Sequence, residues 1–164
     1  MVNAMVDNLH DEIDALVAPL EELHAARLQC KRGCAGCCVD DITVFEVEAE
    51  RIRRGHRSLL QEGAPHPTGA CAFLDDEGAC RIYDARPYVC RTQGLPLRWI
   101  DEEAASEYRD ICELNEHTGP LITDLLPNVC WTVGPTEAKL QVLQAIHGEP
   151  MARVRLRDLF TRER

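Results

Sequence analysis

The sequence predicts a small α+β fold, mainly helical, forming one domain over residues 1–164 with amphipathic helices, a cysteine-rich irregular loop and a short hairpin. Three observations carry this prediction. Apolar residues recur at helical spacing near both ends of the chain, regular periodicity is lost over residues 30–38, and seven of the nine cysteines fall between residues 30 and 90. With 45% hydrophobic residues the chain can build a core without staples throughout. Disorder and a collagen-like fibre are excluded.

Taken in order, Leu9, Ile13, Leu16, Val17, Leu20 and Leu23 predict an amphipathic helix over 8–28, which Pro19 kinks or divides. Residues 30–38, CKRGCAGCC, abandon periodicity, and Gly33 and Gly36 supply tight turns. Thr43 and Glu46 have capping-box spacing and predict a helix over 44–54, stopped by Gly55. Residues 63–69 read as a loop. Stretches 71–74 and 79–83 flank Asp75, Asp76, Glu77 and Gly78 as a short hairpin, with the acidic residues in its solvated turn. Pro87 suits the first turn of a short helix through Cys90.

Residues 96–164 read as a helical C-terminal part. An extended piece at 97–100 precedes a predicted helix over 102–114 that carries Cys112, and Gly119 and Pro120 then break the chain. Thr136 is placed to cap a helix through Ile146, with Leu140, Val142, Leu143 and Ile146 as its apolar positions and Gly148 as its stop. Residues 151–160 alternate apolar and basic, as a strand or a docked terminal segment does.

Charge narrows the function classes. Against 28 Asp and Glu stand 18 Lys and Arg, a formal net charge of −10, which argues against nucleic acid because affinity for its backbone comes from Lys and Arg. The basic clusters Arg51, Arg53, Arg54, Arg57 and Arg153, Arg155, Arg157 carry no interleaved aromatics and read as solvated faces. No apolar run reaches the 18 to 20 or so residues that span a bilayer, and residues 1–14 lack the pattern of a secretory signal. The expectation is a cytoplasmic protein with reduced thiols, no membrane and no nucleic acid, in which cysteines serve as metal ligands.

Nine cysteines outnumber the 3 Phe, 2 Trp and 3 Tyr together. Cys30, Cys34, Cys37 and Cys38 lie in one loop at C-x3-C-x2-C-C spacing, and Cys71, Cys80 and Cys90 follow. One turning loop can aim several sulfurs at one point while its backbone N–H groups bond to the thiolates. Lys31, Arg32, Arg81 and Arg91 adjoin cysteines and offset thiolate charge. Neighbouring side chains diverge by about 100° on a helix, so Cys37 and Cys38 suit two sites, or one site and a packed thiol. Cys112 is an even choice between ligand and core, and Cys130 reads as a buried core cysteine. Any four of these sulfurs satisfy zinc, and an iron–sulfur cluster such as 4Fe-4S uses the same donors. His10, His24, His56, His66, His117 and His147 show no ligand pairing with the cysteines, His66 being the nearest to an exception.

CKRGCAGCC at 30–38, ITVFEVEAERI after it, and CAFLDDEGACRIYDARPYVCR at 71–91 together resemble the YkgJ-type CxxCxxCC family of zinc- or iron-chelating cysteine-cluster proteins. The second block carries the most specific agreement, through Cys71, Phe73, Leu74, Gly78, Cys80, Ile82, Tyr83, Arg86, Pro87, Cys90 and Arg91. The first spacing is C-x3-C where the family name has C-x-x-C, and Ala72 stands where proline is common. The resemblance spans about residues 28–95, the expected metal-binding core, and implies Cys34, Cys37, Cys38, Cys71, Cys80 and Cys90 as ligands.

The function that follows is a metal-binding module holding zinc or an iron–sulfur cluster, with a structural, carrier or partner-binding role toward a protein client. The competing class is an enzyme using an Fe–S centre for redox, maturation or methyl-transfer chemistry. Cys30, Cys34 and Cys37 match the three-cysteine spacing of radical S-adenosylmethionine enzymes, but Gly36 stands where an aromatic is usual and the chain is short for their barrel. Flagellin lysine N-methylases resemble the cysteine block with additional sequence, and no G-x-G occurs here. Arg86 and Arg91 neutralise thiolates and bind carbonyls, or position an anionic substrate. No catalytic motif stands beside the cysteines.

Overall fold

The computed structural model describes residues 1–160. The fold is α+β and mainly helical: α1 (Val2–Leu23), β1 (Thr43–Phe45), α2 (Glu46–Gly55), α3 (Arg57–Glu62), α4 (Tyr88–Arg91), β2 (Leu97–Asp101), β3 (Ser106–Asp110), α5 (Glu113–Glu116), β4 (Trp131–Thr132), α6 (Pro135–His147) and β5 (Arg153–Arg155). Two compact units share these elements. Among the described residues the first takes 1–9, 31–87 and 140–160; the second takes 10–30 and 88–139. No described helix is long and apolar enough to cross a membrane.

Helix α1 begins and ends earlier than its periodicity predicts, and it runs unbroken through Pro19. The proline sits near the C-terminal end, where few backbone bonds remain to be lost. Its buried stripe is Val6, Leu9, His10, Ile13 and Val17, whereas Leu16 and Leu23 are exposed.

In the first unit Thr43 does not cap α2. It lies in β1, paired antiparallel with Arg155 of β5, so of the two readings of the tail the strand holds for Arg153–Arg155, and the buried Leu156–Phe160 turn that follows is docked. The first N–H groups of α2 are satisfied from elsewhere: Val47 N–H donates to Gln144 Oε1 at 3.1 Å and Glu46 N–H to Ala152 O at 3.3 Å. Gln144 is buried, and its Nε2 donates to Glu149 O at 2.9 Å. A helix start needs partners for its free donors, and here a distant glutamine replaces the local hydroxyl. The core of this unit gathers Val44, Ile52, Phe73, Ile82, Leu156 and Phe160. Phe73 is fully buried, its ring centroid 4.8 Å from that of Phe160.

The second unit holds a three-stranded sheet in the order β3-β2-β4, with β2–β3 antiparallel and β2–β4 parallel. The extended piece at 97–100 is therefore β2, but the predicted helix over 102–114 is a hairpin return strand. Asp101 Oδ1 accepts from the N–H groups of Glu103 and Ala104 and turns the chain, Ala105 has φ 48°, and Trp99 stacks on Tyr108 across the strands. Local turn chemistry and cross-strand pairing outweigh the helix propensity of Glu and Ala. Thr136 likewise is not a cap: α6 opens one residue before it, at Pro135, and Glu137 Oε2 accepts from Gly134 N–H at 2.8 Å. Along α6 Leu140, Leu143 and Gln144 are buried, while Val142 and Ile146 are exposed.

Candidate metal centre

In the first unit Cys34, Cys37 and Cys38 lie on two consecutive turns, closed by Cys34 N–H to Lys31 O and Cys38 N–H to Ala35 O, each 2.9 Å. Gly33 holds φ 85° at the third position of the first turn, a conformation that favours glycine. Gly36 has no such conformation, so only one of the two glycines expected to set the loop does so through its backbone. Cys71 and Cys80 flank a tight return. Asp75 N–H donates to Ala79 O at 2.9 Å, Asp75 Oδ1 accepts from Glu77 and Ala79 N–H, and a single antiparallel bridge joins Leu74 to Cys80. The expected hairpin is thus a turn with one bridge, without extended strands.

Loop and return are pinned together. Cys71 N–H donates to Cys38 O at 2.8 Å. A methyl group on Gly33 would stand 3.5 Å from Glu77 O, and one on Gly78 (φ 75°) 3.5 Å from Gly33 O. Arg32 pairs with Glu77 at 3.4 Å on the outside.

The electrostatics of these thiols divide. The Cys38 thiol donates to Cys37 sulfur and, with a backbone bond and the positive charge of Arg86, holds the Cys37 thiol down at about 6. Burial pushes the Cys71 and Cys80 thiols up, and the charge of Cys71 raises Cys80 further, while Arg81 and Arg86 oppose this. Two neighbouring thiols, one buried and one half-buried, whose ionisation is opposed are the groups a bound cation would deprotonate. Of the basic residues expected to serve the cysteines, Arg81 mainly clamps backbone, donating to Ala64 O and Ala72 O and lying over the Phe160 ring. Arg86 donates to Tyr83 O at 3.0 Å and lies over that ring.

In the second unit Cys30 is exposed, Cys90 lies half-buried on α4, and Cys112 is the residue preceding α5, not a position within a longer helix. Arg91 is buried and pairs with Asp14. Cys130 is buried as expected. Arg109 Nη1 donates to its sulfur at 3.0 Å, and burial pushes the thiol up. A cavity of about 350 Å3, lined by Leu23, His24, Arg27, Gly119, Leu125 and Val129 among others, includes no cysteine.

Two residues of the second unit have no counterpart in the sequence reading. Asn115, fully buried, donates from Nδ2 to Cys30 Sγ at 3.7 Å, and Gly94 (φ 93°) leaves the space in which that sulfur sits. Asn115 lies only three residues beyond Cys112, but no spacing rule singles it out.

Among the described residues no three His, Cys, Asp or Glu side chains are gathered closely enough to hold one metal ion. The donor chemistry still fits a thiophilic metal. In the first unit five thiols lie on two backbone-linked segments, the loop with its two turns and the return, and cationic side chains act on Cys37, Cys71 and Cys80. His66 engages through its backbone, N–H to Ala72 O and carbonyl to Arg157. The basic clusters are largely spent on ion pairs within the first unit: Arg51 and Arg54 with Asp7, Arg53 with Glu46, Arg155 with Asp41, and Arg157 with Asp40.

No curated protein and no solved structure matches the chain. One family model does, over residues 29–113, just over half of the chain and spanning eight of the nine cysteines. The sequence resemblance is thereby established, and the chain belongs to the CxxCxxCC family, described as "putative zinc- or iron-chelating domain".

Proposed function

We propose that this protein binds zinc or iron through cysteine thiolates, with Cys34, Cys37, Cys38, Cys71 and Cys80 as the donor set of its first unit and Cys30, Cys90 and Cys112 as a second set. The observation that supports this reading is the bond from Cys71 N–H to Cys38 O at 2.8 Å, which ties the turn bearing three thiols to the return bearing two. Four thiolates around one divalent ion leave a net charge of about −2, and the neighbouring Arg81 and Arg86 offset it. A bound ion would add to the partial charge compensation that Arg81 and Arg86 give Cys71 and Cys80. Residues of this chain do the rest: Gly33 and the Asp75 turn set the approach of the two segments, and before the ion binds the Cys38 thiol donates to Cys37.

The role is structural or carrier-like, with the metal coupled to folding of residues 31–80. The test is anaerobic purification followed by elemental analysis, acid-labile sulfide and a visible spectrum. Near-stoichiometric zinc in a colourless protein fixes the first form, and iron with sulfide in a brown protein fixes a cluster. Cys37→Ser should lower bound metal and increase proteolysis within 31–80. Absence of either metal, or unchanged metal content and protease resistance in Cys37→Ser, overturns the reading.

A further inference from the structure

We propose that Asn115 is a positioning residue for the second donor set, holding Cys30 sulfur as a metal ligand through a side-chain N–H···S bond in the space left by Gly94; this rests on the thiolate–metal reading above. An asparagine with no exposed surface is costly unless its amide is fully paired. Both polar atoms of the Asn115 side chain and its backbone N–H are bonded. Nδ2 donates to Gly94 O at 2.9 Å and to Cys30 Sγ at 3.7 Å, Oδ1 accepts from Gln29 N–H at 2.7 Å, and its own N–H donates to Cys112 O at 2.7 Å. The side chain therefore fixes the backbone just before Cys30 and the sulfur of Cys30, while the main chain of the same residue bonds to the carbonyl of Cys112.

The space is as specific as the bonds. A Cβ on Gly94 would come within 2.6 Å of Cys30 Sγ and 3.2 Å of Asn115 Nδ2, and φ is 93°, so both sterics and backbone select glycine. A side-chain N–H directed at a sulfur stabilises its thiolate and restricts its direction, the task that outer-shell partners perform around metal ligands. A residue serving only to tie down the 29–30 segment needs the Oδ1 bond to Gln29. The donor toward sulfur is the part a purely structural role does not require. Asn115 also lies outside the segment matched by the family model.

The test titrates the full chain anaerobically with cobalt(II), whose thiolate charge-transfer intensity counts bound sulfurs. Wild type should show the band, and Cys30→Ser should lose a share corresponding to one sulfur. Asn115→Asp keeps the acceptor for Gln29 but removes the donor and places a negative charge by the sulfur. It should weaken cobalt binding in chelator competition by about 10- to 100-fold, with an unchanged far-ultraviolet dichroism spectrum. Gly94→Ala should act in the same direction. If Asn115→Asp fails to fold, Cys30→Ser, which leaves the other three bonds of Asn115 in place, decides the matter through the band. Unchanged intensity and affinity in Cys30→Ser, or unchanged affinity in a folded Asn115→Asp, overturns this inference while leaving metal binding standing. Absence of the band in wild type overturns the metal-binding reading itself.

Discussion

The two compact units hold their cysteines by different means. In the first, sulfur positions follow from the main chain: two closed turns, one return and two glycines with positive φ place Cys34, Cys37, Cys38, Cys71 and Cys80. In the second, one buried residue, Asn115, reaches both Cys30, whose sulfur its side-chain amide holds, and Cys112, whose carbonyl accepts its backbone N–H. Turn-held positions depend on backbone conformation at several residues, each contributing modestly. A position held by one amide fails when that amide changes.

The contrast sharpens most where the turns rest on core. Phe73 lies under the return and against Phe160, and Phe73→Ala should cost about 3–5 kcal/mol in chemical denaturation, the largest effect expected in the first unit; a loss below 1 kcal/mol would mean that the return is held by its hydrogen bonds alone. A smaller effect separates the glycines. Gly78→Ala forces an L residue into left-handed backbone 3.5 Å from Gly33 O and should destabilise by about 1–2 kcal/mol. Gly36→Ala meets nothing within 4 Å and should be neutral or stabilising by up to about 1 kcal/mol, so the pair of melts shows which glycine the loop needs.

The smallest effect is electrostatic. The side-chain bond from Arg54, together with the charges of Arg54 and Arg51, holds the Asp7 carboxyl below its ordinary value of 3.8. A depressed folded-state pKa contributes stability that is present above the unfolded value and is lost as pH falls through the folded one. Because Asp7 is partly exposed and solvent screens the pair, the contribution is at most about 1 kcal/mol. Stability of wild type relative to Asp7→Asn should be level above about pH 5 and converge as the solution is acidified below about pH 4. A difference that grows on acidification would refute the assignment.

Much of the first unit is legible in the sequence because its determinants are local. Gly33 and the Asp75–Gly78 return announce turns, α2 ends within one residue of its expected stop, with Gly55 its last residue and His56 its cap, and the tail forms a strand over Arg153–Arg155. The cysteine block is legible for the same reason, since short spacings carry ligand geometry. What escaped detection depends on residues far apart. Thr43 has capping-box spacing, but β5 claims its backbone and Gln144 supplies the cap; nothing near Thr43 reports a glutamine about a hundred positions away. Residues 102–114 have helix-forming composition, but the Asp101 turn and the Trp99–Tyr108 stack make a hairpin. Asn115 falls in the same class, because burial and not spacing gives it a role.

The pairing of β1 with β5 bears on how the cysteine block could be moved between proteins. The strand at Thr43–Phe45 lies inside the family-matched segment, whereas Arg153–Arg155 and the Leu156–Phe160 turn that buries Leu156, Leu159 and Phe160 lie outside it. Cutting out residues 29–113 would strip β1 of its neighbour and Phe73 of its ring partner. The matched segment is therefore not a transferable cassette: a graft of it would carry the thiols but leave behind part of the scaffold on which their turns rest.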